Sequence, residues 1–311
     1  MTTKIQAQPR RARVVRKETA SDRIFLAFCY VLVGLFALIC LLPMWTSLMA
    51  SLTNEGVLMR EGYGLWVPQF DLSAYRMIFT GTTSVLRAYG VTIFITVVGT
   101  TLTVVFTALT AYPLALNVLR FRRPLYLFIY FTSLFNGGLV ANYILITQFL
   151  KLGNTIWVLI IPGCLSSYNF FLMCNYFKTL PASVIESARI DGANEVRIFA
   201  QIVLPISKPI LATITLFAGM GYWNEWQKAL LYIDDTALYP LQYIIMKLQN
   251  QFNFLTSSFG ERALAALGDV TLPTVGIRMA TAMVTIGPIV LLYPFLQKYF
   301  IKGVVIGAVK E

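Results

Sequence analysis

The segment Pro181–Pro205, PASVIESARIDGANEVRIFAQIVLP, places a polar stretch between two apolar runs of this chain. Proline suits the first turn of a helix, where its missing N–H is no loss. Residues 182–190 favour helix, with Ile185 and Ala188 spaced so that they share one face. The first half of the segment is therefore predicted to be a short helix.

The second half predicts a bend followed by another helix. Asp191–Gly192 is a turn signal, and the bend is expected to require a positive φ or a close backbone approach at the glycine. Asn194 can cap a second helix with Glu195 in its first turn, where a negative charge is favourable. Pro205 and Pro209 are expected to end this helix before the next apolar run.

The rest of the sequence predicts a membrane protein. Of its 311 residues, 57% are hydrophobic and 13% are charged, with a mean hydropathy of +0.69. Soluble domains average about 25% charged residues. A membrane-spanning helix needs about 20 apolar residues. Six runs lack Asp, Glu, Lys and Arg: Ile24–Leu48, Ala88–Leu116, Leu125–Leu150, Thr155–Phe177, Pro209–Asn224 and Met279–Gln297. The predicted fold class is all-α, with six transmembrane helices.

The basic residues predict the orientation. With both termini in the cytoplasm, the inner segments hold 17 of the 25 Lys and Arg residues and six of the 14 acidic ones. These inner segments are 1–23, 117–124, 178–208 and 298–311. The distribution satisfies the positive-inside rule, so the net charge of +11 indicates topology and anionic lipid rather than nucleic acid. The first apolar run is too long for a signal-peptide core and is expected to remain as a span.

The predicted organisation follows from these spans. A basic cytoplasmic tail, 1–23, precedes the first helix, 24–48, and an extracytoplasmic loop, 49–87. A core, 88–302, contains five helices, the cytoplasmic loop 178–208 and an extracytoplasmic segment, 225–278. A tail, 303–311, follows.

The residue types present disfavour several function classes. The four cysteines lie in apolar surroundings and there is no histidine. The chain therefore offers few ligands for a metal site and few catalytic groups for a membrane-embedded enzyme. The charge-free spans disfavour ion coupling, although a passive channel would survive that objection. No phosphate-binding loop of the G-x-x-x-x-G-K-[ST] type is present. We expect no cofactor on this chain, and an energy source outside it.

The loop spacing resembles a known signature. Glu186, Ser187 and Ala188, followed by Gly192 and then Ile202-Val203-Leu204-Pro205, match the E-A-A-x3-G-x9-I-x-L-P pattern of the membrane subunits of binding-protein-dependent ABC importers. Ser187 replaces the first alanine. The alternative interpretation is an ordinary surface loop with local helix. With topology placing the segment in the cytoplasm, the docking interpretation is favoured.

Other stretches resemble the second permease subunit of sugar importers of this type. They are Phe135–Leu139, Leu152–Thr155, Trp223–Asn224 and Gln297–Gly303, and they most resemble a subgroup that handles complex oligosaccharides, including uronate-containing ones. That subgroup usually has a proline near position 141. Here it is Ala141, so no kink is predicted from proline in that helix.

The resemblance implies partners and site residues. The partners are a homologous second permease, two cytoplasmic ATPases that carry ATP-Mg, and an extracytoplasmic solute-binding protein. The loop residues implied in coupling to the ATPases are Glu186, Ser187, Ala188, Asp191, Gly192, Ile202, Leu204 and Pro205. The tail with Gly303 and Gly307 would reach between the ATPases, and its alternative is a surface anchor on the bilayer.

Uncharged polar and aromatic residues in the spans are candidates for a substrate path, because amides and aromatic faces suit sugar hydroxyls and rings. They are Asn136, Asn142, Tyr143, Tyr168, Asn169, Asn175, Trp223 and Asn224. The alternative is that they bond neighbouring helices together, or that the partner subunit provides the substrate contacts. The aromatic segment 225–278 is expected to meet the binding protein, unless it packs only on its own helices. A permease for a non-sugar solute remains the closest alternative function.

Overall fold

The computed structural model describes residues 19–80, 84–116, 118–255 and 275–287. These residues are mainly helical, and the single extended pairing among them is an isolated bridge between Thr53 and Phe70. The α-helices are α1 Ala20–Ser51, α2 Glu55–Glu61, α3 Ser73–Thr80, α4 Ser84–Ala115, α5 Arg122–Leu134, α6 Gly138–Ile144, α7 Ile156–Ile160, α8 Ser167–Phe177, α9 Ala182–Ile190, α10 Glu195–Ile198, α11 Leu204–Ile206, α12 Lys208–Trp223, α13 Gln227–Tyr232, α14 Leu241–Leu255 and α15 Val275–Gly287.

Two of these helices, α1 and α4, are each long and apolar enough to cross a membrane. Three bent pairs of helices pass the same test together, which gives up to five spans within the described residues. Of the sixth apolar run, Met279–Gln297, the part up to Gly287 lies in α15, and the remainder lies outside the described residues.

The third apolar run is broken rather than continuous. The axis turns by 117° between α5 and the helix that begins at Gly138. Gly138 has a φ of +82°, and its N–H donates to Asn136 Oδ1 at 3.0 Å. No proline is involved, in keeping with Ala141, but the run Leu125–Leu150, predicted as one helix, consists of two helices. The break depends on a left-handed glycine and an amide cap instead.

The fourth run also bends, by 43°, between the α7 segment and α8. A 3₁₀ turn over Ile161–Gly163 contains Pro162, which cannot donate a backbone hydrogen bond. The carbonyl of Ile160 accepts from the Cys164 thiol at 3.4 Å and from the hydroxyl of Tyr222, on α12, at 2.9 Å. The bend is thus held by a side chain from another span.

The core lies where α4 packs against α8 and α12. Tyr222 is buried there and fits against two glycines. A β-carbon on Gly99 would lie 2.6 Å from the Tyr222 ring, and one on Gly163 would lie 2.9 Å from its hydroxyl. Neither position has room for a side chain. The two glycines therefore allow one aromatic ring to lock α12 against α4 and the bend of the fourth run.

The segment after α12 packs largely on the chain itself. Tyr232 and Tyr243 are buried, and the ring of Tyr143 stacks on Tyr232 with the centroids 5.7 Å apart. Asn154 Oδ1 accepts hydrogen bonds from two successive backbone N–H groups of this segment, at 3.1 and 2.9 Å. These tyrosines therefore make contacts within the chain. Residues 256–274, with Phe259, lie outside the described part of the chain.

Candidate functional site

The polar segment forms the predicted helix, bend and helix. Helix α9 covers Ala182–Ile190, and α10 begins at Glu195. Gly192 has a φ of +80°, with no atom within 4 Å of where a β-carbon would stand. The predicted positive φ is confirmed, and backbone conformation rather than lack of space selects glycine here.

Hydrogen bonds fix the bend. The Gly192 N–H donates to Arg189 O at 3.1 Å, and the Ala193 N–H donates to Ala188 O at 3.0 Å. Asn194 Oδ1 accepts from the Arg197 N–H at 2.8 Å, which confirms the predicted cap. The two helices are therefore held in one defined arrangement.

The second loop helix ends at Ile206, between Pro205 and Pro209 and before the next apolar run, as the sequence predicts. After α10 the chain makes a wide π-helical turn over Phe199–Val203 and continues to Ile206. The Leu204 N–H donates five residues back, to Phe199 O. Pro205 follows this change of hydrogen-bond register and occupies the first turn of α11, where its lack of an N–H is tolerated. An 80° bend then leads into α12.

Part of the predicted coupling motif faces inward. Ala188 is buried, and Ile202 and Leu204 are half-buried against the same core as Phe170 and Phe177 of α8. These three motif residues fix the loop to the chain's own spans.

The other motif residues lie on the exposed side: Glu186, Ser187, Asp191, Gly192 and Pro205. Two apolar side chains that sequence reasoning missed share this exposure. Ile190 is 86% exposed and Val196 is 75% exposed, one on each side of the bend. Soluble surfaces tolerate single exposed apolar side chains, and contact surfaces contain clusters of them, so this pair beside the fixed bend is a candidate contact point. Each is an apolar residue that lies just outside the buried face of its helix, and this position in the pattern is the signal from which it could have been identified.

A carboxylate joins the two loop helices to a span. Glu195 Oε1 accepts from Arg189 Nε at 2.9 Å, and Glu195 Oε2 accepts from the hydroxyl of Tyr112, on α4, at 2.5 Å. These hydrogen bonds, first that of Tyr112 and then that of Arg189, hold the pKa of Glu195 below its ordinary value. The bond to Glu195 in turn raises the pKa of Arg189. Tyr112 lies 83 residues before Glu195, so no local pattern could have revealed the contact.

The candidate substrate-path residues are not brought together into one cluster. Asn169 and Trp223 are buried; the other six are exposed: Asn136, Asn142, Tyr143, Tyr168, Asn175 and Asn224. Two of the amides bond their own chain. Asn136 caps the break in the third run, and Asn224 donates to Met220 O at 2.9 Å and accepts from Gln242 at 3.0 Å. Asn224 therefore bonds to a neighbouring helix, whereas Asn136 makes a local cap.

Three of the remaining candidates keep polar or aromatic surface exposed. Asn175 lines a surface hollow of about 400 Å³ with Tyr126, Tyr130 and Phe171. The exposed ring of Tyr168 lies 6.1 Å from that of Phe217, and Asn142 is exposed on α6. These side chains are available to a neighbouring molecule.

The chain is similar in sequence and fold to transport proteins. It is 38% identical over 292 residues to Protein LplC of Bacillus subtilis, covering 94% of this chain and 97% of that one. It is 36% identical over 290 residues to the polygalacturonan/rhamnogalacturonan transport system permease protein YtcP of the same organism, covering 93% and 99%.

A solved crystal structure of a bacterial ABC transporter, involved in the import of the acidic polysaccharide alginate, contains a chain of the same fold. Its TM-score is 0.77 at 31% identity, and the match covers 92% of this chain and all of that one. None of the protein-family models compared with the chain matches it.

Proposed function

The chain belongs to the family of ABC transport system permeases for sugars and oligosaccharides, and on that premise we propose that it moves oligosaccharides into the cell by alternating access. ATP hydrolysis takes place on separate subunits. The single observation that carries the coupling role is the exposed face around Gly192, which presents Glu186, Ile190 and Val196 on a bend fixed from behind.

The proposed topology is six transmembrane helices in the cytoplasmic membrane, with both termini and the segment 178–208 on the cytoplasmic side. The basic residues of the inner segments support this orientation. The sixth span would be the apolar run Met279–Gln297, whose described part lies in α15. This arrangement presents the 181–205 loop to soluble ATPases.

Coupling would operate as a rigid lever. Ile190 and Val196 would enter a cleft of an ATPase subunit, with Glu186 facing a basic residue there. Because α9 and α10 are held together by Glu195 and Arg189, a displacement of the loop would move both helices as a unit. The chain continues from α11 directly into α12, so the displacement reaches the spans without an intervening flexible linker.

The assembly we propose contains a homologous second permease, two ATPases with ATP-Mg, and an extracytoplasmic binding protein. The tail 303–311, with Gly303 and Gly307, would lie between the ATPases; it falls outside the described residues.

The proposed substrates are uronate-containing oligosaccharides. One relative is named for polygalacturonan and rhamnogalacturonan, and the transporter of known structure imports acidic alginate. Uncharged amides and rings in the path, with Asn142, Tyr168 and Asn175 exposed, would bind hydroxyls and ring faces and leave the carboxylates hydrated. A non-sugar solute is the alternative.

The test uses the whole complex reconstituted in liposomes with its binding protein. Uptake and ATP hydrolysis are measured with oligogalacturonides and with neutral oligosaccharides of the same length. Glu186→Lys should abolish uptake while the complex remains membrane-inserted; Glu61→Lys, an exposed glutamate ending α2 outside the loop, is the control. Wild-type uptake by Glu186→Lys would refute the coupling role, and equal uptake of both sugar classes would refute the substrate class.

A further inference from the structure

The segment Gly62–Phe70, GYGLWVPQF, forms a mainly apolar loop between α2 and α3. Its base is closed by two backbone hydrogen bonds, from Asn54 N to Gln69 O at 3.0 Å and from Asp71 N to Leu52 O at 2.9 Å. The Asn54 side chain also donates to Asp71 Oδ2 at 3.1 Å. The loop therefore projects from a fixed base.

The fixed loop exposes large apolar side chains. Trp66 is 79% exposed, Phe70 is 65% exposed and Tyr63 is 60% exposed. The nine residues contain no ionisable side chain other than the tyrosine, whereas Glu61 and Asp71 flank them directly. In water, exposure of a tryptophan, a phenylalanine and a tyrosine on one fixed loop is unfavourable. Their exposure therefore indicates that the loop contacts something other than water.

A single hydrogen bond sets the depth of this loop. The indole Nε1 of Trp45, on α1, donates to Leu65 O at 2.9 Å. Trp45 lies 21 residues after Ile24, where the apolar run begins, which is about 32 Å along a helix and close to the ~30 Å thickness of the hydrocarbon core. The loop is therefore tied to α1 about one hydrocarbon thickness from the start of its apolar run, at the level where hydrocarbon meets headgroups.

We propose that Gly62–Phe70 is a lipid-interface anchor, with Trp66 and Tyr63 in the headgroup region beside the end of α1. Tryptophan and tyrosine are favoured at this level because each has an apolar ring and a polar tip. The flanking carboxylates of Glu61 and Asp71 remain in water on either side. The depth set by Trp45 favours lipid over a soluble partner, which would meet a surface further from the hydrocarbon.

The experiment reads the fluorescence of Trp66 in the complete complex, reconstituted in bilayers whose lipids carry bromine either near the headgroup or at the chain end. The chain has five tryptophans, so the Trp66 signal is the difference between the natural chain and Trp66→Phe. Bromine near the headgroup should quench this signal at least about twofold more than bromine at the chain end, with little quenching by aqueous iodide. This readout requires no transport, so it is independent of the proposed function.

A second pair of variants tests the tether. The fluorescence of Trp45→Phe minus that of the double variant Trp45→Phe/Trp66→Phe gives the Trp66 signal in a chain that lacks the bond to Leu65 O. Iodide quenching of Trp66 should then increase, because the loop is no longer held at its depth. Strong iodide quenching in the natural chain would overturn the proposal. Protection from iodide that appears only when the binding protein is added would overturn it in favour of a protein-docking loop.

Discussion

The hydroxyl of Tyr112 donates a hydrogen bond to the carboxylate of Glu195 at 2.5 Å, which fastens the 181–205 loop to the long apolar helix α4. The same carboxylate binds Arg189 of α9. One side chain thus joins the first loop helix, the second loop helix and a span. Rigidity of the loop as a lever depends on this junction.

Tyr112→Phe should weaken this junction by about 1 kcal/mol, since Glu195 is partly exposed and water replaces part of the lost bond. Transport per ATP hydrolysed should fall while ATPase activity persists. The control is Tyr176→Phe, whose hydroxyl makes only a 3.5 Å contact with Ile206 O. Hydrogen exchange of residues 182–198 should accelerate in the first variant and not in the second. Equal exchange in both would contradict the role of Tyr112.

The junction should also have an acid limit. Because the pKa of Glu195 is lowered in the folded loop, its stabilisation is present in full above the ordinary glutamate pKa, near 4.5, and is lost as the pH falls through the lowered value. Loop protection in hydrogen exchange should therefore be constant above about pH 5 and decline below it. Glu195→Gln should remove this decline. A loss of protection between pH 6 and 7 would indicate another group.

Gly192→Pro should uncouple ATP hydrolysis from transport. Proline fixes φ near −65°, whereas this position needs +80°, and it removes the N–H that donates to Arg189 O. Gly192→Asn is the matched control, because asparagine tolerates the left-handed region. We expect Asn to retain most of the uptake and Pro to lose at least about tenfold. Similar uptake by both variants would mean that the bend does not need this conformation.

Gly99→Ala should damage the packing of α12 on α4. The added carbon would lie 2.6 Å from the Tyr222 ring, and the buried ring cannot move freely. Overpacking of this kind costs about 1–3 kcal/mol. Gly90→Ala, on the same helix with open space around it, is the control. The thermal midpoint of the purified complex should fall only for Gly99→Ala, and Gly99→Ala/Tyr222→Leu should recover part of it.

Deleting residues 304–311 tests the proposed C-terminal contact. Complex assembly should be retained because the 181–205 loop still docks, but ATPase activity stimulated by the binding protein should fall. If the truncated complex hydrolyses ATP and transports at the wild-type rate, the tail serves only as a surface anchor.

Local signals in the sequence predicted the local features of the site. The turn at Asp191–Gly192 and the cap at Asn194 depend on neighbouring residues, and both are present as predicted. Contacts between distant residues were not predictable: Tyr112 with Glu195, or Tyr222 with Gly99.

The main errors concern helix breaks. The run Leu125–Leu150 has the composition of one span, yet Gly138 turns it by 117°. Ala141, where related chains have proline, gave no indication of this break, whereas the second loop helix does end between Pro205 and Pro209. Gly138 and the Asn136 amide turn the third run, and a π turn precedes Pro205. Both features depend on which backbone groups form hydrogen bonds with each other, and this pairing cannot be read from composition.

The break in the third run also bears on how the subunit is made. Every described side chain from Tyr130 to Leu145 is exposed, including Phe135 and Leu139 around the interrupted backbone. Peptide groups outside a helix are not tolerated against hydrocarbon and need protein or water beside them. A copy synthesised without its neighbour would carry this uncovered break into the bilayer. We therefore expect its cellular level to follow the supply of the proposed second permease, with surplus copies removed by membrane proteases.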